Sequence, residues 1–251
     1  LSADDLKHLH GRAYFPGNCI IAAAGNLSHQ ALLEEVERQG WFTGDGTALH
    51  HNPPPVPPVP PAVRGVRRAF DKDTAQTHIV FGTDTIPYAD RRKYGMLVIS
   101  NVLGGGMSSR LFQRIREELG LAYAIYSFTS FYRGVGMAGV YVGSQPARAA
   151  KAEEAIRDEF ARLSREGLRG AALEDAKQQT LGQLMLSLES PTSRMYRLAS
   201  TAVYSEPYRS LDEVLKTVEA LTADEISGLA SEFFAPDRQT VVSLGPNGGK
   251  S

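Results

Sequence analysis

The amino-acid sequence predicts an α+β fold, in which an antiparallel or mixed sheet carries helices packed on one face. Two observations support this prediction. From residue 66 onward, strand-like segments come first, followed by two helical segments, a hairpin and a long helical block. That order is typical of a sheet covered by helices on one side. The second observation is an internal repeat, in which a capped helix followed by an apolar strand occurs twice.

The repeat relates residues 1–25 to residues 221–245. The opening LSADDL recurs as LTADEI, and both copies continue through a proline to an apolar run that ends in glycine. The matched pairs include Leu1 with Leu221, Pro16 with Pro236, and Gly25 with Gly245, each 220 positions apart. Each copy predicts a helix with a Ser or Thr N-cap and an acidic residue three positions later, followed by a strand. Chance recurrence is the alternative, and the absence of any gap favours duplication.

This repeat predicts the domain organisation. We expect residues 1–49 to be the C-terminal tail of a preceding domain and residues 65–246 to be a nearly complete second copy. About 170 residues of the first copy would then precede Leu1. Residues 50–64 contain the run NPPPVPPVPP, which cannot join a helix or an inner strand. We interpret this run as an extended polyproline II linker between domains, with an SH3-type ligand as the alternative.

Local patterns predict the elements in order. In the first part they are a helix at 3–13, a strand at 19–24 and a helix at 29–39. The second part opens with strands at 66–70 and 77–83, a helix from Asp90 that breaks at Gly104–Gly106, and a helix at 110–119. Strands at 121–131 and 135–143 form the hairpin. Helices follow from Pro146 to 165, from Leu173 to Leu188 and from Pro191 to Tyr204, and two shorter helices precede a strand at 239–244.

Composition argues against several classes of function. The chain has 251 residues, of which 42% are hydrophobic, enough for a sizeable apolar core. A net charge of −1 provides no basic field, so we do not expect a nucleic-acid binder. No apolar run approaches the roughly 18 residues of a membrane span. The single cysteine, Cys19, excludes an internal disulfide and lies in an apolar run that reads as a buried strand.

Histidine spacing predicts no metal site in this chain. The six histidines are His8, His10, His29, His50, His51 and His78. None stands in an H-E-x-x-H or H-x-x-E-H pattern, which would aim two imidazoles and a carboxylate at zinc. His78 falls in a predicted strand, where we interpret it as a structural residue of the sheet.

Two features between residues 104 and 123 are candidates for chemistry. The glycines Gly104–Gly106 follow a helix and lack the Lys-Ser/Thr of a phosphate loop, so they read as a tight break between helices. Arg116 lies late in a predicted helix, and Tyr123 lies three residues after Gly120, where the chain turns into a strand. A guanidinium and a phenol at such a turn can bind or polarise a carbonyl oxygen. A solvated helix arginine and a half-buried strand tyrosine are the alternative.

The segment NVLGGGMSSRLFQRIREELGLAY, residues 101–123, resembles the C-terminal, non-zinc domain of M16 metallopeptidases, the family of pitrilysin and the mitochondrial processing peptidases. The opening of the chain is similar to the end of the zinc-bearing domain of that family. The residues that carry this second similarity are Leu6, Tyr14, Pro16, Asn18 and Gly25. The resemblance therefore covers essentially the whole chain.

The resemblance implies two similar α+β domains that close around an unfolded peptide. In the family, an H-x-x-E-H helix and a distal Glu of the first domain hold zinc, and the Glu of the motif activates the attacking water. The second domain contributes an Arg and a Tyr, seven residues apart, which Arg116 and Tyr123 match in type and spacing. Gly104–Gly106 matches a glycine-rich segment linked to substrate handling, although it is shorter than in the α-type subunits of processing peptidases.

These expectations define a functional hypothesis. The chain lacks the zinc motif, so it would bind a peptide substrate and close the catalytic chamber without hydrolysing the peptide by itself. Zinc and its N-terminal domain would come from the full-length protein or from a separate subunit, in a homo- or heterodimer. The zinc domain of the full protein is either active or degenerate. A structural or assembly subunit is the alternative function. The compartment is not determined, with the cytoplasm favoured slightly and the periplasm as the alternative.

Overall fold

The computed structural model describes residues 1–15, 18–41 and 65–246. The predicted linker at 50–64 lies outside these ranges. Within them the fold is α+β, as the sequence predicted. The strands are β1 Arg67–Asp71, β2 Thr77–Thr85, β3 Ala124–Phe131, β4 Gly136–Ser144 and β5 Thr240–Gly245. The helices are α1 Ala3–Ala13, α2 His29–Arg38, α3 Lys93–Gly104, α4 Ala149–Glu166, α5 Ala171–Ser187, α6 Pro191–Val203, α7 Leu211–Glu219 and α8 Ala223–Phe233, and residues Phe112–Glu118 form a π-helical segment.

The chain divides into two compact units. The first takes the described part of Leu1–Pro55 together with Leu184–Tyr208, and so contains α1, α2, the end of α5 and α6. The second takes the described part of Val56–Gln183 together with Arg209–Ser251. The five-stranded sheet, the π-helical segment and the other helices belong to this second unit.

The sheet of the second unit is mixed and has the strand order β1-β5-β2-β4-β3. Strand β1 runs parallel to β5, and the other neighbours run antiparallel. The predicted hairpin forms between β3 and β4, with Ala124 opposite Gly143 and Phe131 opposite Gly136. Strands β1 and β3 are therefore the two edges of the sheet.

Helices cover one face of this sheet, as predicted. Alternate residues of β2 are buried, which is the pattern of a strand with one face in the core. The Phe81 ring of β2 meets the Phe160 ring of α4 edge-on at 5.6 Å, and Phe160 meets Phe234 at the same distance. Helix α3 contacts β3, and α8 packs against α3 and α4. The core of the second unit lies between this helical layer and the sheet.

Helices α1 and α8 display the internal repeat as structure. Both span 11 residues, and they begin and end 220 positions apart. Each starts with a capping box, formed by Ser2 with Asp5 in α1 and by Thr222 with Glu225 in α8. Hydrogen bonds from the backbone and hydroxyl of the N-cap residue stabilise each carboxylate and lower the pKa of Asp5 and of Glu225.

The two copies of the repeat differ in how deeply their apolar side chains are buried. In α8, Ile226 and Leu229 are 0% and 4% exposed, whereas their counterparts Leu6 and Leu9 in α1 are 58% and 61% exposed. The strand predicted at 19–24, the counterpart of β5, does not form within the described residues. A strand is defined by hydrogen bonds to a neighbouring strand, and residues 18–41 have no such neighbour among the described residues. That prediction was wrong, because a local apolar pattern contains no information on pairing.

Helix α3 ends against β3 at Gly104. A Cβ atom at this position would lie 2.9 Å from the carbonyl carbon of Tyr126 and 3.0 Å from the Cβ atom of Ser127. The Ser100 hydroxyl, one turn earlier in α3, lies 3.0 Å from the Ser127 hydroxyl. The absence of a side chain at Gly104 therefore allows the helix to approach the backbone of β3.

We predict that Gly104→Ala lowers the free energy of unfolding by about 1–3 kcal/mol, because the new methyl group overpacks the contact with β3. Gly106→Ala is the matched control, since a Cβ atom there would meet nothing within 4 Å. Its effect should stay within about 0.5 kcal/mol. Urea unfolding followed by circular dichroism measures both, and equal effects would contradict this account of the α3–β3 contact.

Candidate functional site

The three predicted glycines play different structural roles. Gly104 is buried against β3, as described above. Gly105 caps α3, and its N–H donates to the carbonyl of Asn101 at 2.9 Å. Gly106 and the Met107 that follows it are exposed, and the Met107 side chain is 75% exposed. The open tip of this loop is therefore formed by Gly106 and Met107.

Side chains from two helices hold the loop after Gly106. The Gln113 amide donates to the Met107 carbonyl at 2.6 Å, and the Gln179 amide of α5 donates to the Ser108 hydroxyl at 3.4 Å. Below them, the Asn101 amide donates to the Thr180 hydroxyl at 3.1 Å in the interior. The loop is thus fixed at its base while its tip faces solvent.

Arg116 lies on the π-helical segment rather than on the α-helix that the sequence predicts. The defining i→i+5 pattern appears where the Leu119 N–H donates to the Arg114 carbonyl at 3.1 Å. Leu111 and Ile115 bury their side chains completely, and Arg116 points outward with its guanidinium 4.7 Å from the centre of the Phe112 ring. Its nearest carboxylate is that of the neighbouring Glu117, at 3.9 Å. Segments of π-helix occur often at functional sites.

Tyr123 follows a turn at Gly120, where φ is +61° and glycine is favoured. The turn is held on both sides. The Leu121 N–H donates to the Ile115 carbonyl at 2.8 Å, and this bond joins the residues after the turn to the π-helical segment before it. The Arg148 guanidinium donates to the Gly120 carbonyl at 2.7 Å. The turn is therefore cross-linked to the segment that carries Arg116.

Strand β4 fixes the other end of this turn. The buried Ser144 hydroxyl donates to the Leu121 carbonyl at 2.5 Å, and the Tyr123 N–H donates to the Gly143 carbonyl at 2.8 Å. The Tyr123 side chain is 51% exposed, and its hydroxyl accepts from the Gln145 amide at 2.7 Å. Since that hydroxyl keeps its own proton, it is available to donate a further hydrogen bond.

The structure gives Arg116 and Tyr123 separate partners. Arg116 rests on Phe112 beside Glu117, and Tyr123 is held by Gln145. Each side chain is about half exposed, so both present hydrogen-bond donors to solvent from the two ends of one cross-linked turn. Sequence reasoning missed Gln145, because only the register of β3 against β4 brings it beside Tyr123.

A further polar cluster lies on the open face of the sheet, close to this turn. His78 Nδ1 lies 2.7 Å from the Tyr141 hydroxyl, and the Tyr141 ring stacks on Tyr126 at 4.9 Å between centroids. Burial, and then the neighbouring Tyr126, raises the pKa of Tyr141, so it stays protonated and polar at neutral pH. His78 is thus hydrogen-bonded within the sheet, in keeping with the structural role inferred from the sequence.

The described residues contain no group of three or more His, Cys, Asp or Glu side chains that could hold a metal ion. These described residues therefore do not fit a zinc site. Over the same ranges, no helix is both long and apolar enough to cross a membrane.

Comparison with known proteins identifies the family. A family model described as the peptidase M16 inactive domain matches residues 1–180, more than half of the chain. The uncharacterized zinc protease YmxG of Bacillus subtilis is 33% identical over 248 residues, which are 98% of this chain and 58% of that protein. The uncharacterized zinc protease SCO5738 of Streptomyces coelicolor is 31% identical, over 98% of this chain and 54% of that protein. The chain therefore spans a little over half the length of these relatives.

Solved structures share the fold. The peptidase M16 inactive domain from Pseudomonas fluorescens superposes with a TM-score of 0.80 at 23% identity, covering 98% of this chain and 58% of that one. A protease from Helicobacter pylori also gives a TM-score of 0.80, at 20% identity, covering 98% of this chain and 60% of that one. The resemblance inferred from residues 101–123 is thereby confirmed. The chain belongs to the peptidase M16 family and carries its C-terminal, inactive-domain part.

Proposed function

We propose that this chain is the non-hydrolytic half of an M16-type zinc metalloendopeptidase, which binds an unfolded peptide and closes the catalytic chamber. The observation that carries the proposal is the cross-linked turn between Arg116 and Tyr123. It presents a guanidinium and a phenol, both partly exposed, from a backbone fixed by five hydrogen bonds. The names of the relatives, which are zinc proteases, support the reaction class.

In this proposal Arg116 and Tyr123 orient the scissile carbonyl of the peptide. A fixed cation and a fixed hydroxyl stabilise negative charge that develops on a carbonyl oxygen, and they act best where water is excluded. Gly106 contributes open backbone at the tip of the neighbouring loop, where an extended peptide can approach closely. Gly105 holds the base of that loop by capping α3. Gly104 supports that loop through its contact with β3. Zinc, its ligands and the base that activates water belong to the N-terminal domain.

The exposed apolar face of α1 is evidence that a further domain packs against this helix. Leu6 and Leu9 occupy the positions that Ile226 and Leu229 occupy in α8, where both are buried. We infer that the zinc-bearing domain covers this face of α1, whether that domain lies in the same polypeptide or in another subunit.

The first experiment tests the role of the turn. We expect the full-length protein to cleave an unstructured quenched peptide in a chelator-sensitive reaction. Arg116→Ala with Tyr123→Phe should lower kcat by roughly 100-fold or more, since removing one fixed donor to an oxyanion commonly costs that much. Arg114→Ala with Tyr132→Phe is the matched control, because both side chains are exposed and lie in the same segment and hairpin. The control should keep full activity.

Other outcomes separate the alternatives. Cleavage that the Arg116→Ala and Tyr123→Phe changes leave intact would remove the role given to these residues. A full-length protein that is inactive alone, and becomes active with a zinc-bearing subunit, would identify a non-catalytic partner. Inactivity under both conditions, with the protein assembled in a larger complex, would favour a structural or assembly subunit.

A second experiment tests the partner domain. Leu9→Ala should change the unfolding free energy of residues 1–251 by no more than about 0.5 kcal/mol, because Leu9 is exposed there. In the full-length protein the same change should cost about 2–5 kcal/mol, the usual range for a buried leucine. Leu229→Ala is the control and should cost a similar 2–5 kcal/mol in both proteins. Denaturant unfolding measures all four values, and an equally small effect of Leu9→Ala in both proteins would exclude burial of this face.

A further inference from the structure

Helix α4 carries two buried glutamates with parallel surroundings. Glu153 and Glu159 are 8% and 6% exposed. Each pairs with an arginine on the next turn of α4 itself, Arg157 at 3.0 Å from Glu153 and Arg162 at 2.9 Å from Glu159. A buried carboxylate is tolerated only when it is paired and hydrogen-bonded, and both residues satisfy this condition.

The second partner of each glutamate comes from a different part of the second unit. Glu153 lies 3.3 Å from Arg67, on the edge strand β1. Glu159 lies 3.3 Å from Arg110, two residues before the π-helical segment begins. Glu153 therefore ties α4 to the far edge of the sheet, whereas Glu159 ties α4 to the segment that carries Arg116.

The segment that carries Arg116 faces the core on one side and a cleft on its α4 side. Leu111 and Ile115 anchor it in the core, but a cleft of about 560 Å³ opens between it and α4. The lining includes Ser108, Arg110, Gln113, Arg114, Glu159 and Arg162. Arg110 and Glu159 both line this cleft, and their ion pair joins the start of the segment to α4. The cleft is a poor ligand site, because Arg110 and Arg114 are already paired with Glu159 and Glu118.

We infer that Glu159 is a positioning residue, which fixes the orientation of Arg116 through Arg110. This inference rests on the function proposed above for Arg116. The Gln113 N–H donates to the Ser109 carbonyl and the Leu119 N–H to the Arg114 carbonyl, so helical hydrogen bonds connect the backbone on either side of Arg110 to the residues around Arg116. In this inference, loss of the ion pair at Arg110 displaces that backbone and, with it, the Arg116 guanidinium six residues further on.

The test uses the full-length protein and a quenched unstructured peptide. Glu159→Gln should lower kcat roughly tenfold, with little change in KM, because small misplacements of a group that acts in the transition state reduce the chemical step. Glu153→Gln is the matched control, with the same burial, the same helix and the same number of arginine partners. It should lose comparable thermal stability and keep kcat. Arg110→Gln removes the other partner of the ion pair and should lower kcat by the same factor. If Glu159→Gln does not fold, Arg110→Gln replaces it in the test, because the Arg110 side chain is 25% exposed and its substitution disturbs the core less.

A double-mutant cycle with Arg116→Ala separates positioning from general destabilisation. If Glu159 acts through Arg116, Glu159→Gln causes no further loss of kcat in the Arg116→Ala background. Equal losses in both backgrounds, or a loss in Glu153→Gln as large as in Glu159→Gln, would overturn the inference and leave Glu159 a purely structural residue. Activity that Arg116→Ala does not change would instead contradict the proposed function, and the inference with it.

Discussion

The hydrogen bonding of β3 to β4 determines where the candidate site lies. Strand side chains alternate between faces, so a slip of one residue would turn every side chain of β3 to the opposite face. In the observed register Tyr126 stacks on Tyr141, and Tyr123 reaches Gln145 at the end of the pair. The same register presents the backbone around Ser127 to Gly104 at the end of α3. The glycine loop, the Gly120 turn and the aromatic pair are therefore all set by one pairing.

The two copies of the capped helix show how local and tertiary interactions contribute differently to helix stability. An N-cap contributes about 1 kcal/mol, and both α1 and α8 have one, so both sequences form a helix. Burial of a leucine or isoleucine side chain contributes about 1.5–3 kcal/mol, and only α8 gains it in this chain. The local signal thus specifies that a helix forms and which face is apolar, and the surrounding sheet decides whether that face joins a core.

This division explains what the sequence could predict. Apolar periodicity and turn residues predicted the α+β class, the β3–β4 hairpin and most helices, because these patterns reflect short-range geometry. The π-helical register escaped prediction, since Leu111 and Ile115 are four residues apart and suit an ordinary α-helix equally well. The Arg110–Glu159 pair joins residues separated by 49 positions, and no local pattern indicates which of many arginines a buried glutamate will meet. Arg116 and Tyr123 stay predictions, made from their position at the Gly120 turn and from the family resemblance. The contact of Tyr123 with Gln145 depends on the register of β3 against β4, which the sequence does not specify.

The hydrogen bonds that hold the turn explain how residues outside a metal site could contribute to the proposed reaction. When a flexible hydrogen-bond donor becomes ordered on binding, the entropy cost of that ordering reduces the binding free energy. A donor that is already held in place does not incur this cost. Here hydrogen bonds hold the backbone from Ile115 to Tyr123, and the Arg116 and Tyr123 side chains contact Phe112 and Gln145 respectively. Beside this turn, Gly106 and Met107 form an exposed loop tip. Two donors held in place beside an exposed loop are what the proposed role of orienting a peptide carbonyl requires.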